Sequence, residues 1–527
     1  MTAPPVPAPR AAAKGSPFAG ALLIAGICLA ALTEAIAGTI LSLGRADIIG
    51  DTHATADEFA WLEVSYTTLK LGGFLAASWA MDRLGPRTLM IVSTLTMGAG
   101  CALAVITTRL DLLVALRAIQ GVSGGILLVT GQTILFLSFP RNRQPLVQAA
   151  FATAAVVAAA AIAPAVQGWL LDRQSWTWIF FGIVPIALAS VSLLVLADRE
   201  IPAPPVWRKA DLRGFVLISV ALFCATYVLS QGARWDWFEA PHIAWLTAIG
   251  ASALALFLVQ QIASKGTGLL DRSLFLSQDF TFAFIVSFVA GAALFGSGFL
   301  ILGFAASVLS FTPTEAGLLL LPSSAVFVAA LLLAALIMQY RRVPPIATVP
   351  FGILAIMLAM WMLSRTNGQS GAGDMISAIL VRGLGLGCLF LSITLVAFNS
   401  LPDRALAAGI GLFNTGRQVG GLLGVAGLQT LIDHDIAANI AALNANIAGG
   451  IPAVGDRLTT TTALLVARGL DAVAAGKAAA SLLGKAIVGQ STVIAFDTGF
   501  FSVALFFVAA APVVIAVKFV LARLVKT

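Results

Sequence analysis

Residues 77–91 read ASWAMDRLGPRTLMI. An apolar run lies on either side, over 58–80 before it and 88–107 after it. About 20 apolar residues are what a helix needs to cross a bilayer. Between the two runs Asp82, Arg83, Gly85 and Arg87 are crowded together, which leaves room only for a tight turn. Glycine gives such a turn its backbone freedom, and paired arginines mark the face where membrane chains keep positive charge. The stretch reads as the turn of a helical hairpin set in lipid. Asp82 stands near a helix C-terminus, where the dipole disfavours a carboxylate. It calls for a cation or a helix N-terminus elsewhere; a plain basic turn is the competing reading.

The pattern repeats along the chain. Apolar runs recur near 18–43, 58–80, 88–107, 111–136, 147–171, 178–197, 214–231, 243–262, 281–306, 314–338, 346–364, 375–399, 405–432 and 492–522. Helices satisfy their own backbone groups in lipid, so all fourteen are expected as helices, and the alternating segments of a membrane barrel are missing. Only 10% of the 527 residues are charged and 59% are hydrophobic, far from the roughly 25% charge of a soluble chain. The net charge of +7 does not mark a nucleic-acid binder, because the basic residues sit between apolar runs and form no patch.

Those basic residues set an orientation. Arg10 and Lys14 precede the first run. Alternate loops then carry Arg83 and Arg87; Arg141 and Arg143; Arg199, Arg208, Lys209 and Arg213; Lys265 and Arg272; Arg341 and Arg342; Arg404; and finally Lys518, Arg523 and Lys526. The opposite short loops hold at most one each: Arg45, Arg109, Arg173, Arg234 and Arg365. Both termini are expected in the cytoplasm, in the inner (plasma) membrane, with the first run retained as a span because it is longer than a signal h-region.

Several charges fall inside the runs, where they are costly and mark function by default. Glu34 lies in the first run, roughly 13 Å below its outer end, and Arg117 in the fourth, about 9 Å below its outer end, at 1.5 Å per residue. They share a depth within a helical turn. Glu34 is expected to titrate and Arg117 to modulate it, against the alternative of a static ion pair. Gln120 lies on the face of Arg117. Glu63 and Lys70 lie near one face of the second run, and Lys70 sits near the midplane, where it needs a carboxylate, a carbonyl, water or an anionic substrate; Glu34 is one such partner. Asn414 and Arg417 are cavity candidates in the second half. Arg382 and Asp497 sit near outer ends, where snorkelling accounts for them.

DRLGPR (82–87) resembles the major facilitator signature between spans 2 and 3, and LRAIQG (116–121) its span-4 motif. QSWTWIFFGIVPIAL (174–188), VRGLGLG (381–387) and GLFNTGRQVGG (411–421) resemble its segments at spans 6, 12 and 13. With fourteen spans, the chain resembles the drug:proton antiporter family of EmrB/QacA type. The resemblance implies an all-α polytopic fold: a cytoplasmic tail (1–17), a six-helix bundle (18–200), two extra central spans (201–270) and a second bundle (271–527). It implies proton-coupled efflux of amphipathic or lipophilic small molecules by alternating access, with Asp82, Arg83, Gly85 and Arg87 as a cytoplasmic gating motif. Three departures stand out. APAVQG (163–168) keeps Pro164 and Gly168 of the span-5 motif but has Ala163 and Gln167 for glycines; LTEAIAGTILSL (32–43) has Glu34 about where the family has aspartate; and Pro86 replaces a basic residue.

Residues 433–491 are too long for a simple outer turn. Ile436, Ile440, Leu443 and Ile447 recur at helical spacing, which predicts an amphipathic helix, and a second helical stretch follows. A cap over the outer mouth is one reading. Docking to a periplasmic adaptor that leads to an outer-membrane channel is the other, and the resembled family includes members of that kind. Other classes find little support. Cys28, Cys101, Cys224 and Cys388 lie singly in apolar runs, and His53, His242 and His434 in separate connections, so neither a metal site nor a cofactor is expected. GLDAVAAGK (469–477) has the wrong glycine spacing for a phosphate loop. No nucleophile–base pair or filter loop marks an enzyme or a channel. A carrier for an organic anion, held by Lys70 and Arg417, is the alternative function.

Overall fold

Each apolar run becomes one helix, because in lipid only intrahelical hydrogen bonds can satisfy its backbone. The computed structural model describes residues 16–197, 201, 211–264, 269, 273–448 and 452–524. The long helices are α1 (Pro17–Leu43), α2 (Ala56–Leu84), α3 (Pro86–Val105), α4 (Leu110–Ser138), α5 (144–173), α6 (Thr177–Leu196), α7 (Leu212–Gln231), α8 (Pro241–Ala263), α9 (Gln278–Ser307), α10 (Pro313–Arg341), α11 (Pro345–Leu363), α12 (Ala372–Asn399), α13 (Asp403–Ala448) and α14 (Ala472–Leu524). Eleven are long and apolar enough to cross a membrane, and bent α5 makes a twelfth. The more highly charged α2 and α13 are also long enough to span. Among the described residues there is no strand. Arg10, Lys14, Arg199, Arg208, Lys209, Lys265, Arg272 and Lys526 lie outside the described residues.

Local chemistry sets the ends. At the start of α2 the Glu58 carboxylate accepts from the Thr55 N–H at 2.8 Å while the Glu58 N–H donates to the Thr55 hydroxyl at 3.3 Å, a capping box. Thr312 and Glu315 repeat it at α10. Gly85 ends α2 with φ +78°, and Pro86 opens α3 with its φ already set for a helix. Within α5 the backbone is π-helical over Thr153–Ile162, and the flanking segments meet at 42°. Pro164, with no N–H to give, lies just past that stretch, and both features bend helices.

Helices α1–α6 pack on one another, and so do α9–α14, while α7 lies against α2 and reaches α13, and α8 packs on α7. The face at which α1 begins, near Pro17, is here the terminal face; the opposite one is the far face. Asp211 anchors the extra pair on the terminal side. It accepts from the N–H groups of Gly214 and Leu269 and from the side chains of Gln260 and Gln261, at 2.8–3.0 Å. Burial pushes its carboxyl up, but these four donors outweigh it and hold it below its ordinary range.

Two expectations are corrected. The segment after residue 432 is not a loop carrying a separate amphipathic helix: α13 continues unbroken to Ala448, a helix runs over Pro452–Ala467, and α14 is already helical from Ala472. Hydropathy locates the edge of the lipid, whereas these alanine-rich stretches keep high helix propensity beyond it. Ile436, Ile440 and Leu443 are half-covered rather than presented to solvent, and Ile447 lies outside the residues whose side chains are described. Arg382 does not snorkel. It is 1% exposed, with Nε donating to Ser297 Oγ at 2.8 Å and Nη2 to the Leu294 carbonyl at 3.3 Å.

Candidate functional site

Small residues on α4 bring the charges together. A Cβ on Gly121 would stand 2.2 Å from the Tyr66 carbonyl oxygen, and one on Gly125 would stand 2.3 Å from that of Lys70. Only glycine lets α2 approach this closely, and the approach carries Tyr66 and Lys70 to α1. Gly124 clears the path for Glu34: a Cβ there would lie 2.9 Å from the Glu34 Cγ.

Glu34 is 3% exposed and forms an ion pair with Lys70, whose side chain is 12% exposed. The same Glu34 oxygen accepts from the Tyr66 hydroxyl at 3.0 Å. Lys70 lies 5.7 and 5.9 Å from the ring centroids of Tyr66 and Phe74. Arg117 stands behind the tyrosine, its guanidinium carbon 3.9 Å from the ring centroid. One guanidinium nitrogen donates to the Ala37 carbonyl at 2.8 Å and to Gln120 Oε1 at 3.1 Å. Arg117 therefore meets Glu34 through Tyr66, whose hydroxyl holds the acid and whose face holds the base. Lys70 is the direct partner. A buried pair of this kind is sustained by its extra hydrogen bonds rather than by charge alone.

Across the interface, Arg417 on α13 is partly exposed and within electrostatic reach of Glu34. It donates to the Asn414 side-chain oxygen and lies 5.7 Å from the Phe390 ring centroid. Among the described residues it has no carboxylate partner. Asn414 is buried, and its amide donates to the Ile410 carbonyl at 3.0 Å. Glu63 is exposed, with Arg117 and Arg45 acting on its charge.

The seam between the halves is sealed on the terminal side of these residues. A Cβ on Gly411 would lie 2.2 Å from the Phe74 carbonyl oxygen. Met81, Leu89 and Ala407 form an apolar cluster nearby, and Phe136 and Phe398 meet edge to face at 5.5 Å. On the other side, Gly38 is exposed one turn beyond Glu34, and Glu63 is exposed two turns beyond Lys70. The exposed positions beside the site thus lie toward the far face, and the packed ones toward the terminal face.

The remaining motif residues lie elsewhere. Arg87 caps α6, donating to the carbonyls of Leu194 and Val195 at 2.8 and 2.9 Å. Arg83 lies over Trp79, and Asp82 is half-buried at the end of α2. On the far side Pro164 and Gly168 of α5 meet α10. A Cβ on Gly168 would stand 2.3 Å from the Pro313 carbonyl oxygen, and one on Gly317 would stand 2.5 Å from that of Pro164. Tyr66 is a site residue that sequence reasoning missed, and Gln167 stands out in the sequence only as a replacement for a motif glycine. Tyr66 falls between Glu63 and Lys70 at helical spacing, and that spacing was the available signal. Gln167 donates to the Ile36 carbonyl and to Thr39 Oγ1 at 2.9 and 3.0 Å, tying α5 to α1 beside Glu34.

Comparison with known proteins adds the context of relatives. The profile of the Major Facilitator Superfamily matches residues 23–425. The multidrug export protein EmrB of Haemophilus influenzae is 28% identical over 427 residues, covering 79% of this chain and 82% of the relative. The EmrB of Escherichia coli K12 is 24% identical, covering 79% and 81%. The tetracenomycin C resistance and export protein of Streptomyces glaucescens is also 24% identical, covering 80% and 77%.

Proposed function

Starting from a chain that belongs to the Major Facilitator Superfamily, we propose that it is a proton-coupled exporter of amphipathic or lipophilic small molecules working by alternating access. The relatives named for drug export support the efflux reading. We divide the chain as the resemblance implies, into bundles at 18–200 and 271–527 around an insertion at 201–270, with both termini in the cytoplasm and the far face outward.

The carrying observation is Glu34, a 3% exposed carboxylate held by Lys70 and Tyr66 between the apolar helices. A proton entering from the far face neutralises Glu34 and releases Lys70. Closure of the far side and opening of the terminal side follow, because the pair no longer holds α1 against α2. Loss of the proton to the cytoplasm lets the pair re-form, and substrate moves outward in the returning half-cycle. Each ligand shifts the equilibrium only by its differential affinity for the two states.

The test is proton flux driven by a substrate gradient in proteoliposomes. Glu34→Gln is expected to abolish that flux and uphill transport while keeping substrate binding. Uphill transport at the wild-type rate would show that Glu34 is not the coupling group. We also propose that the helical projection after residue 432 meets a periplasmic adaptor. Its exposed Leu464, Val473, Leu482 and Val488 offer the apolar surface, and a lid over the outer mouth is the competitor.

A further inference from the structure

The part of α1 around Glu34 is fastened by three helices. Lys70 and Tyr66 of α2 hold Glu34 itself. Arg117 of α4 donates to the Ala37 carbonyl at 2.8 Å. The third fastening comes from α5, where Gln167 Nε2 donates to the Ile36 carbonyl at 2.9 Å and to Thr39 Oγ1 at 3.0 Å. This one leads onward to the other half of the molecule. Gly168, the next residue, lies against the Pro313 carbonyl of α10, and Asp172 accepts from the Thr314 N–H at 3.0 Å. A short piece of α5 thus grips the helix of Glu34 at one end and the second half at the other.

The chemistry of Gln167 is poorly explained by stability. It is fully buried, and its Oε1 has no hydrogen-bond partner among the described residues. An unpaired acceptor in the interior is a cost. Neither of its own acceptors depends on it. The Ile36 carbonyl lies inside α1, where the N–H four residues on supplies a donor, and the Thr39 hydroxyl already donates to the Ala35 carbonyl at 3.0 Å. A methionine would fill the same space with no orphaned oxygen. A glycine, which the resembled motif has here, would leave α1 free of α5. What the amide adds is a directional bond to α1 within two turns of the acid. We propose that Gln167 is a positioning residue for coupling: it ties α1 to α5, so that the movement of α1 on neutralisation of Glu34 is delivered to the α5–α10 crossing between the halves. The proposal rests on the reading of Glu34 above and adds the route by which its charge state reaches the second half, a contiguous chain of contacts.

The charged and titratable groups around Glu34 come from other helices. Lys70 and Tyr66 face it from α2, and Arg417 acts on it from α13. Arg117 of α4 stands behind Tyr66, with Cys101 of α3 and Glu63 of α2 acting on it in turn. Helix α6, also packed on α1, carries no charged residue. At this level α5 brings the neutral amide, so its link to Glu34 is mechanical rather than electrostatic.

The test is a double-mutant cycle on the full-length protein in lipid nanodiscs, read by amide hydrogen exchange at one pH. Glu34→Gln serves as the permanently neutral acid. The reporter is the start of α10, residues 314–319, whose first N–H bonds Asp172 across the crossing. In the background that keeps Gln167, Glu34→Gln should change exchange there about fivefold or more. In the Gln167→Met background, Glu34→Gln should leave it unchanged. Gln167→Met alone should not lower thermal stability, since it orphans no acceptor and removes an unpaired one. A packing role predicts the opposite pair of results: lower stability, and the same response to Glu34→Gln in both backgrounds. That equal response overturns the proposal. If Gln167→Met does not fold, Gln167→Gly takes its place under the same criterion. Failure of the reading of Glu34 looks different: Glu34→Gln then has no effect at α10 even with Gln167 present, and the proposal falls with it.

Discussion

Tyr66 touches both the acid and the base of the site. Its hydroxyl donates to Glu34 and its ring carries Arg117 at 3.9 Å. Tyr66→Phe keeps the ring, and with it the stacking, but removes one hydrogen bond from the ionised carboxylate. Hydrogen bonds to charged groups contribute about 1.5–3 kcal/mol, so the step in which Glu34 gives up its proton should slow by about tenfold or more. Stopped-flow proton release from detergent-solubilised protein measures this, and an unchanged rate would make the tyrosine a spectator. The legibility of these residues follows from how sharply each violates the rules of lipid. Glu34, Lys70, Arg117 and Arg417 stand out because a charge in an apolar run is expensive. Tyr66 does not, since a tyrosine in such a run reads equally as packing. Arg382 was visible, but its depth was misjudged: position along a run does not say whether a guanidinium points to the interface or, as here, into Ser297 and the Leu294 carbonyl.

Helices α5 and α10 cross through matching segments, Pro164 to Gly168 and Pro313 to Gly317. Each glycine lies against the carbonyl of the other segment's proline. Asp172 adds a hydrogen bond across the crossing, accepting from the Thr314 N–H at 3.0 Å at the helix N-terminus that favours an anion. Since Gly168→Leu places a Cβ 2.3 Å from backbone, a rigid neighbour rather than a flexible side-chain end, the helices must separate. Overpacking of this kind costs about 1–3 kcal/mol. Transport should fall at least about fivefold, while Gly50→Leu, where a Cβ meets nothing, should be neutral. Comparable rates for the two variants would show that the crossing is not needed. Elements α1–α12 were readable to within a few residues because apolar runs and helix ends coincide where a chain turns at the lipid surface. That coincidence fails at α13 and α14, whose helices run on past the lipid. The reciprocity of the two proline–glycine segments was not readable, since it exists only once α5 and α10 face each other.

At the scale of the whole molecule, the loop between α7 and α8 and the outer projection both lie on the far side. Arg234 bridges to Asp57 of α2 at 3.1 Å, and Trp237 donates to Thr430 of α13 at 2.9 Å. The loop between α7 and α8 therefore joins both halves on that side. The projection stands farther out, built from the ends of α13 and α14 and the helix Pro452–Ala467. Its stripe of Ile436, Ile440 and Leu443 is half-covered, with Ile436 packed against the main core, so replacing those residues would disturb packing as well as test what the projection meets. Its exposed residues are the informative ones. Leu464, Val473 and Leu482 are 61%, 67% and 49% exposed, so their replacement by serine should leave stability within about 0.5 kcal/mol. Docking to an adaptor predicts normal transport by the triple variant in proteoliposomes, lost drug resistance in cells, and lost cross-linking to the adaptor. A lid predicts a defect in proteoliposomes as well, because a lid acts on the transporter alone. A variant slow in the purified system would therefore remove the adaptor from the account and assign the projection to the outer mouth.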